Sequence, residues 1–240
     1  MPARGPFAGQ LALITGASRG IGAATAEALA AAGAHVVLTA RDARALEVVE
    51  ERIFAAGGSA TIAPLDLTES DAIARLAAAV SGRWSALDVM VINAGVLPQL
   101  TAVADIDQGA FSKALATNVL ATQALIAAFD PLLRNSADAR VIGLSSSVAQ
   151  QPRAYWGAYA ASKAACDVLL DCYAQETRNI SKIRVAIVNP GATRTKMRAR
   201  AYPGEDPAGV KPPEAVAERL VTLLGERFDS GHRESVNQSR

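Results

Sequence analysis

Short apolar segments alternate with longer segments of helical composition along most of this 240-residue chain. The apolar segments are rich in Val, Ile, Leu and Ala, and most of them run directly into Gly, Asn, Asp, Ser or Pro. Continuous apolar runs are typical of strands that are buried on both faces of a sheet. They predict strands at Leu11–Thr15, His35–Thr39, Ala60–Pro64, Leu87–Ile92, Arg140–Leu144 and Arg184–Asn189.

The intervening segments lack internal Pro and Gly and are rich in residues that favour helix. They predict helices at Ala23–Ala32, Ala43–Ala56, Asp71–Val80, Phe111–Phe129 and Tyr159–Asn179. Repeated strand–helix alternation implies right-handed crossovers and a parallel sheet. The predicted fold is therefore α/β: a Rossmann-type doubly wound parallel sheet of about seven strands, with helices on both faces. No linker or repeat divides the chain, so residues 1–240 are expected to form a single domain.

The composition argues against several classes of function. A net charge of +1 gives no electrostatic reason to expect a nucleic-acid partner. The two histidines lie far apart without a Cys, Asp or Glu cluster, so no metal site is predicted. On one helix, Cys166 and Cys172 would be offset by about 9 Å of rise, which is too far for a disulfide.

The weakly charged stretch Ala114–Phe129 is too short and polar to span a bilayer, and no secretion signal is recognised. We expect a cytoplasmic protein without a membrane partner.

A glycine-rich turn follows the first predicted strand and opens the first predicted helix. Its sequence from Thr15 to Gly22 is T-G-A-S-R-G-I-G, with the spacing Gly-x-x-x-Gly-x-Gly. Glycines at such a turn let backbone N–H groups approach a pyrophosphate, and the helix N-terminus favours the negative charge. A turn that binds no ligand would have the same composition, but this position in a strand–turn–helix unit favours dinucleotide binding.

A second group of polar residues follows the fifth predicted strand. Tyr159 and Lys163 are four residues apart, which places them on one face of a helix. A tyrosine is a weak base at neutral pH, and an adjacent ammonium favours its phenolate. Ser146 precedes Tyr159 by 13 residues, and its hydroxyl is suited to hold a carbonyl oxygen while the tyrosine donates a proton. Ser145 and Ser147 are alternatives for this role.

At these motifs the chain resembles the short-chain dehydrogenase/reductase family, over about residues 9–225. The resemblance implies an NAD(P)-dependent oxidoreductase acting on a small-molecule carbonyl or secondary alcohol, with Tyr159 as the general acid/base. It implies that Ser146 orients the substrate, Lys163 contacts the nicotinamide ribose, and Asn118 holds a relay water, unless Asn118 only kinks or caps its helix. The cofactor-binding residues that it implies are Gly16, Ser18, Arg19, Gly20, Ile21, Gly22, Arg41, Asp66, Leu67, Asn93, Ala94, Gly95, Tyr159, Lys163, Pro190, Gly191, Thr193 and Thr195.

The residues after the second predicted strand bear on the choice of dinucleotide. An acidic residue at position 40 would accept from the ribose hydroxyls of NAD, and Ala40 cannot do so. Arg41 and Arg19 are both able to pair with the 2′-phosphate of NADP(H). This favours NADP(H), with NAD(H) as the alternative if Asp42 binds the ribose. Asp42 is also well placed as a helix N-cap. Asp66 resembles the family's adenine contact, or it is a turn or N-cap residue.

The sequence departs from the family pattern in two places. Ile92 stands where relatives have the first Asn of an Asn-Asn-Ala-Gly signature, which questions the local hydrogen bonding. The segment Asp229–Arg240 is short and polar, and it lacks the Gly-Gly turn with which many relatives end near a subunit interface. The helices at Phe111–Phe129 and Tyr159–Asn179 still resemble the surfaces through which relatives form homodimers and homotetramers.

The substrate itself cannot be read from the sequence. Tyr155 and Trp156 are candidates to line its pocket, although simple apolar packing is an equal alternative. The proline- and glycine-rich segment within residues 193–213 predicts a mobile substrate lid. The basic residues of Arg194–Arg200 form either a solvated face or an attractor for an anionic substrate. Outside enzymes, the alternative function is a catalytically silent dinucleotide sensor on the same fold.

Overall fold

The computed structural model describes residues 5–236, so residues 1–4 and 237–240 of the expected domain lie outside it. In this part of the chain the strands are β1 (Leu11–Thr15), β2 (His35–Thr39), β3 (Ser59–Ile62), β4 (Val89–Ile92), β5 (Arg140–Leu144), β6 (Arg184–Asn189) and β7 (His232–Ser235). The α-helices are α1 (Gly20–Ala31), α2 (Ala43–Ala55), α3 (Ala72–Ser81), α4 (Gln108–Leu115), α5 (Ala121–Asn135), α6 (Ser147–Gln150), α7 (Gly157–Thr177), α8 (Lys196–Ala201) and α9 (Pro213–Gly225).

All seven strands lie in one parallel sheet in the order β3-β2-β1-β4-β5-β6-β7. The strand order therefore reverses between β1 and β4. In sheets of this type the crevice at the carboxyl ends of the strands beside that switch point is the usual place for a ligand. The predicted doubly wound α/β fold is confirmed.

Apolar side chains alternate between the two faces of the sheet and form two cores. On β1, Ala12 and Ile14 belong to the core beneath α1, α2 and α9, whereas Leu11 and Leu13 belong to the core beneath α3, α5 and α7. Because both faces are covered by helices, the strands are apolar throughout, which is the pattern read in the sequence. At Gly143 of β5 a side chain would overlap Leu170, so this glycine lets α7 pack close to the end of β5.

Six strands lie where the sequence predicts them, within a few residues, but the sequence pattern does not predict β7. The segment His232–Ser235 is short, and its side chains are partly exposed or exposed. Among residues 5–236, β7 pairs only with β6 and is therefore an edge strand, with polar side chains that form ion pairs. A four-residue polar segment carries no apolar periodicity, so its sequence gives no signal for a strand.

The predicted helix Phe111–Phe129 is part of a longer helical run, Gln108–Asn135, which consists of α4, a π-helical turn at Ala116–Leu120, and α5. Within residues 5–236 this run alone is long and apolar enough to cross a membrane, so the expectation that the region is too short was wrong on length. The core helix of a folded domain passes the same test. Leu125, Phe129 and Leu133 are almost fully buried against the sheet, as in such a helix.

Candidate active site

A cleft of about 410 Å³ lies at the carboxyl ends of the strands and is bounded by several of the predicted site residues. Ile21 contributes from α1, Ser146 from the end of β5, and Tyr159 from α7. The segment after β6 completes the lining, with Pro190, Gly191, Thr193 and Thr195. The cleft thus brings together residues that are far apart in the sequence but follow neighbouring strands.

The glycine loop has the backbone geometry of a phosphate cradle. Gly16 and Gly20 have φ angles of 66° and 57°, which glycine adopts without strain. A side chain at Gly22 would overlap the carbonyl oxygen of Gly16, so the loop closes tightly on the first turn of α1. Arg19 is the N-cap residue of α1 and makes no side-chain capping hydrogen bond, which leaves the first N–H groups of the helix available to an anion. This loop therefore fits the pyrophosphate of a dinucleotide.

The turn after β4 is tied to the glycine loop by hydrogen bonds. The side chain of Asn93 donates to the carbonyl oxygens of Thr15 (2.8 Å) and Gly16 (3.2 Å). The hydroxyl of Thr15 accepts from the backbone N–H groups of Asn93 and Ala94, each at 3.0 Å. Ile92, the departure from the family signature, is 4% exposed and packs in the core. Asn93 and Thr15 therefore supply the hydrogen bonds at this junction.

Tyr159 and Lys163 are both buried on the side of α7 that faces the cleft and the end of β5. Tyr159 is 7% exposed, and its hydroxyl lies 4.0 Å from the sulfur of Met197 in α8. Lys163 is 5% exposed, and its ammonium donates to the carbonyl oxygen of Leu144 at 2.7 Å. A Cβ at Gly95 would lie 3.7 Å from the Lys163 Nζ, so the Asn93–Gly95 turn approaches this ammonium closely.

Asn118 occupies the π-helical turn, and every polar atom of its side chain is engaged. Its Oδ1 accepts from the N–H of Val96 (2.8 Å), and its Nδ2 donates to the carbonyl oxygen of Val96 (3.0 Å) and to Ser162 Oγ (2.9 Å). The Asn118 carbonyl oxygen accepts from the Thr122 hydroxyl at 2.9 Å. The side chain therefore braces the segment after β4 against α7 from within the π-helical turn.

The three consecutive serines after β5 differ in their surroundings. Ser145 is buried, and its hydroxyl donates to Asp167 Oδ2 at 2.9 Å. Ser146 precedes α6 with an extended backbone and makes no capping hydrogen bond. Ser147 is the first residue of α6. All three contribute to the lining of the cleft, but the hydroxyl of Ser145 already has a partner in α7.

The residues expected near the adenosine lie at the ends of β2 and β3. The Asp42 side chain accepts from the N–H of Ala45 and so caps α2, which is the N-cap role that the sequence offered for it. Asp66 accepts from the N–H and hydroxyl of Thr68, and the backbone hydrogen bond lowers the pKa of this carboxyl. The Arg41 side chain is 60% exposed and lies 3.8 Å from Asp66. Arg19 is exposed as well, whereas Leu67 is partly buried against the core.

The segment predicted as a lid is anchored at both ends. Thr193 and Lys211 form a β-bridge, and the buried Lys211 ammonium donates to the carbonyl oxygen of Ala192 at 3.0 Å. Burial lowers the pKa of Lys211, and the neighbouring Arg198 lowers it further. Between these anchors, Thr195 caps α8 by accepting from the N–H of Arg198. The segment therefore has defined secondary structure at the rim of the cleft.

The basic residues of this segment are not equivalent. The guanidinium of Arg198 forms a bidentate pair with Glu205 and lies 3.7 Å from the Tyr202 ring centroid. The hydrogen bond from Arg198 also lowers the pKa of Glu205. The other basic residues, Arg194, Lys196 and Arg200, are exposed. Only Arg198 of this group lines the cleft, where its charge is already paired.

Several lining residues were not singled out from the sequence. These are Met197, Tyr202 and Arg153, which all line the cleft. Trp156, a candidate from the sequence, also lines it and packs between the rings of Tyr159 and Tyr202. Tyr155, the other aromatic candidate, is 63% exposed and lies outside the lining residues. No sequence periodicity indicates such residues, because they are brought together by loops that fold over the strand ends.

Comparisons with known proteins agree with this architecture. The family model for short chain dehydrogenases matches residues 10–206. An uncharacterized oxidoreductase of Escherichia coli, YciK, is 36% identical over 220 residues, which cover 90% of this chain and 86% of YciK. A short chain dehydrogenase structure from Pseudomonas syringae superposes with a TM-score of 0.93 at 37% identity, covering 99% of this chain and 97% of that one. A short chain dehydrogenase structure from Shigella flexneri, complexed with NADP, has a TM-score of 0.92 at 34% identity and covers 98% of both chains.

Proposed function

Because the chain belongs to the short-chain dehydrogenase family of oxidoreductases, we propose that it is NADP(H)-dependent and acts on a small-molecule carbonyl or secondary alcohol. The observation that carries this proposal is the pair of buried residues Tyr159 and Lys163 beside the cleft that the glycine loop adjoins. The cofactor supplies the hydride that reduces the carbonyl carbon. The residues of this chain bind the reactants and control the proton.

The residues proposed to hold the cofactor follow the strands along the crevice. The pyrophosphate end is assigned to the glycine loop and the adenosine end to Arg41, Asp66 and Leu67. The nicotinamide end is assigned to the segments after β4 and β6. The complete proposed set comprises Gly16, Ser18, Arg19, Gly20, Ile21, Gly22, Arg41, Asp66, Leu67, Asn93, Ala94, Gly95, Tyr159, Lys163, Pro190, Gly191, Thr193 and Thr195.

The proposed proton transfer involves Tyr159 and Lys163 on one face of α7, together with Ser146 after β5. In the reductive direction, Ser146 donates a hydrogen bond to the substrate carbonyl oxygen, and Tyr159 donates its phenolic proton to the same oxygen. In the oxidative direction Tyr159 accepts that proton. In both directions the buried ammonium of Lys163 stabilises the phenolate form of Tyr159. Asn118 braces the segment that carries Gly95 near Lys163 and thereby supports the proton path.

The preference for NADP(H) rests on the residues after β2. Ala40 has no carboxylate for the ribose hydroxyls, and Asp42 is occupied as the cap of α2. Arg41 is exposed and only loosely paired with Asp66, so its guanidinium is available for a 2′-phosphate. The related protein from Shigella flexneri was crystallised with NADP, which supports the same choice.

The substrate is proposed to enter beneath the segment 193–213, which would act as a lid. Met197, Ala201 and Tyr202 from this segment line the cleft together with Trp156, whose ring packs against that of Tyr202. A carbonyl compound with an apolar or aromatic body fits such a lining. The exposed basic residues of Arg194–Arg200 are assigned to a solvated face.

Replacing the proposed proton donor tests the function most simply. Tyr159→Phe is expected to lower kcat for carbonyl reduction by about 10³-fold or more, because the proton donor is lost. The Kd for NADPH is expected to stay within a few-fold of wild type. Tyr173→Phe is a matched control, because it removes another buried hydroxyl of α7, one that bonds Asp130 away from the cleft. A Tyr159→Phe variant that turned over at the wild-type rate would overturn the assignment.

A catalytically silent dinucleotide sensor remains the second candidate, because the fold binds dinucleotides with or without chemistry. The buried positions of Tyr159 and Lys163 argue for catalysis, since a sensor has no use for a proton donor and a buried ammonium at this site. Tight NADPH binding without turnover on a broad panel of carbonyls and alcohols would favour the sensor.

We further propose that the protein is a cytoplasmic homodimer or homotetramer. Leu120 follows α4 and Val168 lies in α7, and both are large apolar residues that are at least 60% exposed. Helix-rich faces with exposed apolar residues are suited to self-association. Light scattering at micromolar concentration should give two or four chains for wild type, and a smaller particle for Leu120→Glu. A monomeric wild-type protein would contradict the proposal.

A further inference from the structure

A buried polar network lies directly behind the serines that follow β5. Asp167, in α7, is 4% exposed, and its Oδ2 accepts from the Ser145 hydroxyl (2.9 Å) and from Arg233 Nη1 (3.0 Å). Arg233 lies in the edge strand β7 and also pairs with Asp171, one turn further along α7. None of these four residues has a part in the proposed chemistry. A buried carboxylate is costly unless it is paired, so this network needs a reason.

The network is one of two adjacent polar contacts by which α7 holds the end of β5. Lys163 bonds the carbonyl oxygen of Leu144, and Asp167, one helical turn later, bonds the hydroxyl of Ser145. The backbone of Ser145 is also fixed, because its N–H donates to the carbonyl oxygen of Val188 in β6 at 2.8 Å. The next residue is Ser146, the proposed substrate-orienting serine. The two residues before Ser146 are therefore held from both sides.

We infer that Asp167 is a positioning residue for Ser146, and that Arg233 of the edge strand holds Asp167 in place. By bonding Ser145, Asp167 keeps the chain from rotating at the end of β5, so that the Ser146 hydroxyl stays directed to the substrate carbonyl. The inference rests on the proposed function. It also gives β7 a part in catalysis, since Arg233 links this edge strand to the residue behind the active-site serine.

Loss of the contact between Ser145 and Asp167 should let the Ser146 hydroxyl move out of position. A misplacement of about 1 Å by a change remote from the chemistry can cost on the order of 10²-fold in rate. Ser145→Ala removes the hydroxyl that Asp167 holds, and we expect it to lower kcat about tenfold. Asp167→Asn is expected to have a similar effect. The Kd for NADPH should stay within about twofold of wild type, because neither residue belongs to the proposed cofactor-binding set and the Ser145 hydroxyl is directed to Asp167.

A matched control separates positioning from simple destabilisation. The hydroxyl of Ser136 also donates to a carboxylate, that of Asp88, at 2.6 Å, and Ser136 is as buried as Ser145. It lies before β5, at the amino ends of the strands, whereas the cleft lies at their carboxyl ends. Ser136→Ala should lower Tm about as much as Ser145→Ala while leaving kcat unchanged. Equal losses of kcat in the two variants would show that Ser145 affects activity only through the stability of the domain.

The decisive test combines the change with loss of the catalytic serine. If Ser145 acts through Ser146, then in a Ser146→Ala background Ser145→Ala should cause no further loss of kcat. Ser145→Thr, which keeps the hydroxyl, should recover most of the activity. A crystal structure of Ser145→Ala should show the Ser146 side chain turned from its wild-type position. Additive losses, or an unmoved Ser146, would overturn the inference.

The outcomes also separate this inference from the proposed function. A Ser146→Ala variant that loses activity while Ser145→Ala keeps it would contradict the positioning role alone. A wild-type protein that reduces no carbonyl, or a Ser146→Ala variant as active as wild type, would overturn the proposed function and the inference with it.

Discussion

Lys163 is a buried cation that has a neutral oxygen as its hydrogen-bond partner. Its ammonium is 5% exposed and donates to the carbonyl oxygen of Leu144. In the described residues no carboxylate lies within ion-pairing distance of it. Burying a charge without an opposite charge costs stability, and such a cost is tolerated where the charge has a function.

Replacing this ammonium by an apolar side chain should therefore separate stability from activity. We expect Lys163→Met to raise Tm by a few degrees, which corresponds to about 1 kcal/mol for a domain of this size, and to abolish turnover. Thermal unfolding and steady-state kinetics measured on the same preparation test this expectation. A clear fall in Tm would mean that the ammonium is a structural group.

Arg41 carries the proposed choice between the two dinucleotides. Arg41→Ala is expected to weaken NADPH binding by about 10- to 100-fold, the usual value of a hydrogen bond to a charged group, and to leave NADH binding nearly unchanged. Arg44→Ala serves as the control, since Arg44 is an exposed arginine in α2. Equal losses for NADPH and NADH would contradict the assignment of the 2′-phosphate to Arg41.

The proposed cofactor site depends on the geometry of the first turn of α1. A side chain at Gly22 would overlap the Gly16 carbonyl oxygen and would come within 2.5 Å of Asn93 Nδ2. Gly22→Ala should therefore push the loop apart and weaken NADPH binding by at least about tenfold, since the loop N–H groups would no longer converge. Gly109→Ala, in the first turn of α4, is the control, because its Cβ would meet only the Asp107 side chain at 3.3 Å. Unchanged NADPH affinity in Gly22→Ala would count against this loop as the phosphate site.

The sequence predicted those features that depend on local pattern. Apolar runs placed six strands, and Tyr159 with Lys163 followed from a spacing of four on α7. The missing features depend on contacts between remote segments. The pairing of Asp167 with Arg233 joins positions 66 residues apart, and the π-helical turn at Asn118 arises where its side chain bonds Val96. Neither has a signal in a single sequence, because the partner becomes a neighbour only after folding.

The cleft lies at the carboxyl ends of the strands. At the opposite, amino ends lies a titratable side chain, that of His35. His35, at the start of β2, bonds the hydroxyls of Ser59 (3.1 Å) and Thr61 (2.9 Å) and packs against Trp84. Burial lowers the pKa of His35 below its ordinary value of 6.5, and the charge of Arg83 lowers it further. The folded protein therefore favours the neutral imidazole.

This shift predicts how the stability of the whole domain depends on pH. The unfolded chain takes up the His35 proton at a higher pH than the folded protein does, so stability is retained above about pH 6.5 and falls as the pH is lowered toward the folded-state pKa. Urea unfolding between pH 8 and pH 5 should show this fall in wild type, and a smaller one in His35→Gln. Identical slopes in the two proteins would exclude His35 as the cause.

One titration tests directly whether the cleft binds NADP(H) and performs carbonyl chemistry. The purified protein is titrated with NADPH and with NADH by fluorescence, and NADPH oxidation is then followed with a panel of carbonyl compounds. We predict that NADPH binds at least about tenfold more tightly than NADH, as expected for a charge-assisted contact to the 2′-phosphate, and that at least one carbonyl is reduced. Failure to bind either dinucleotide would contradict the central claim.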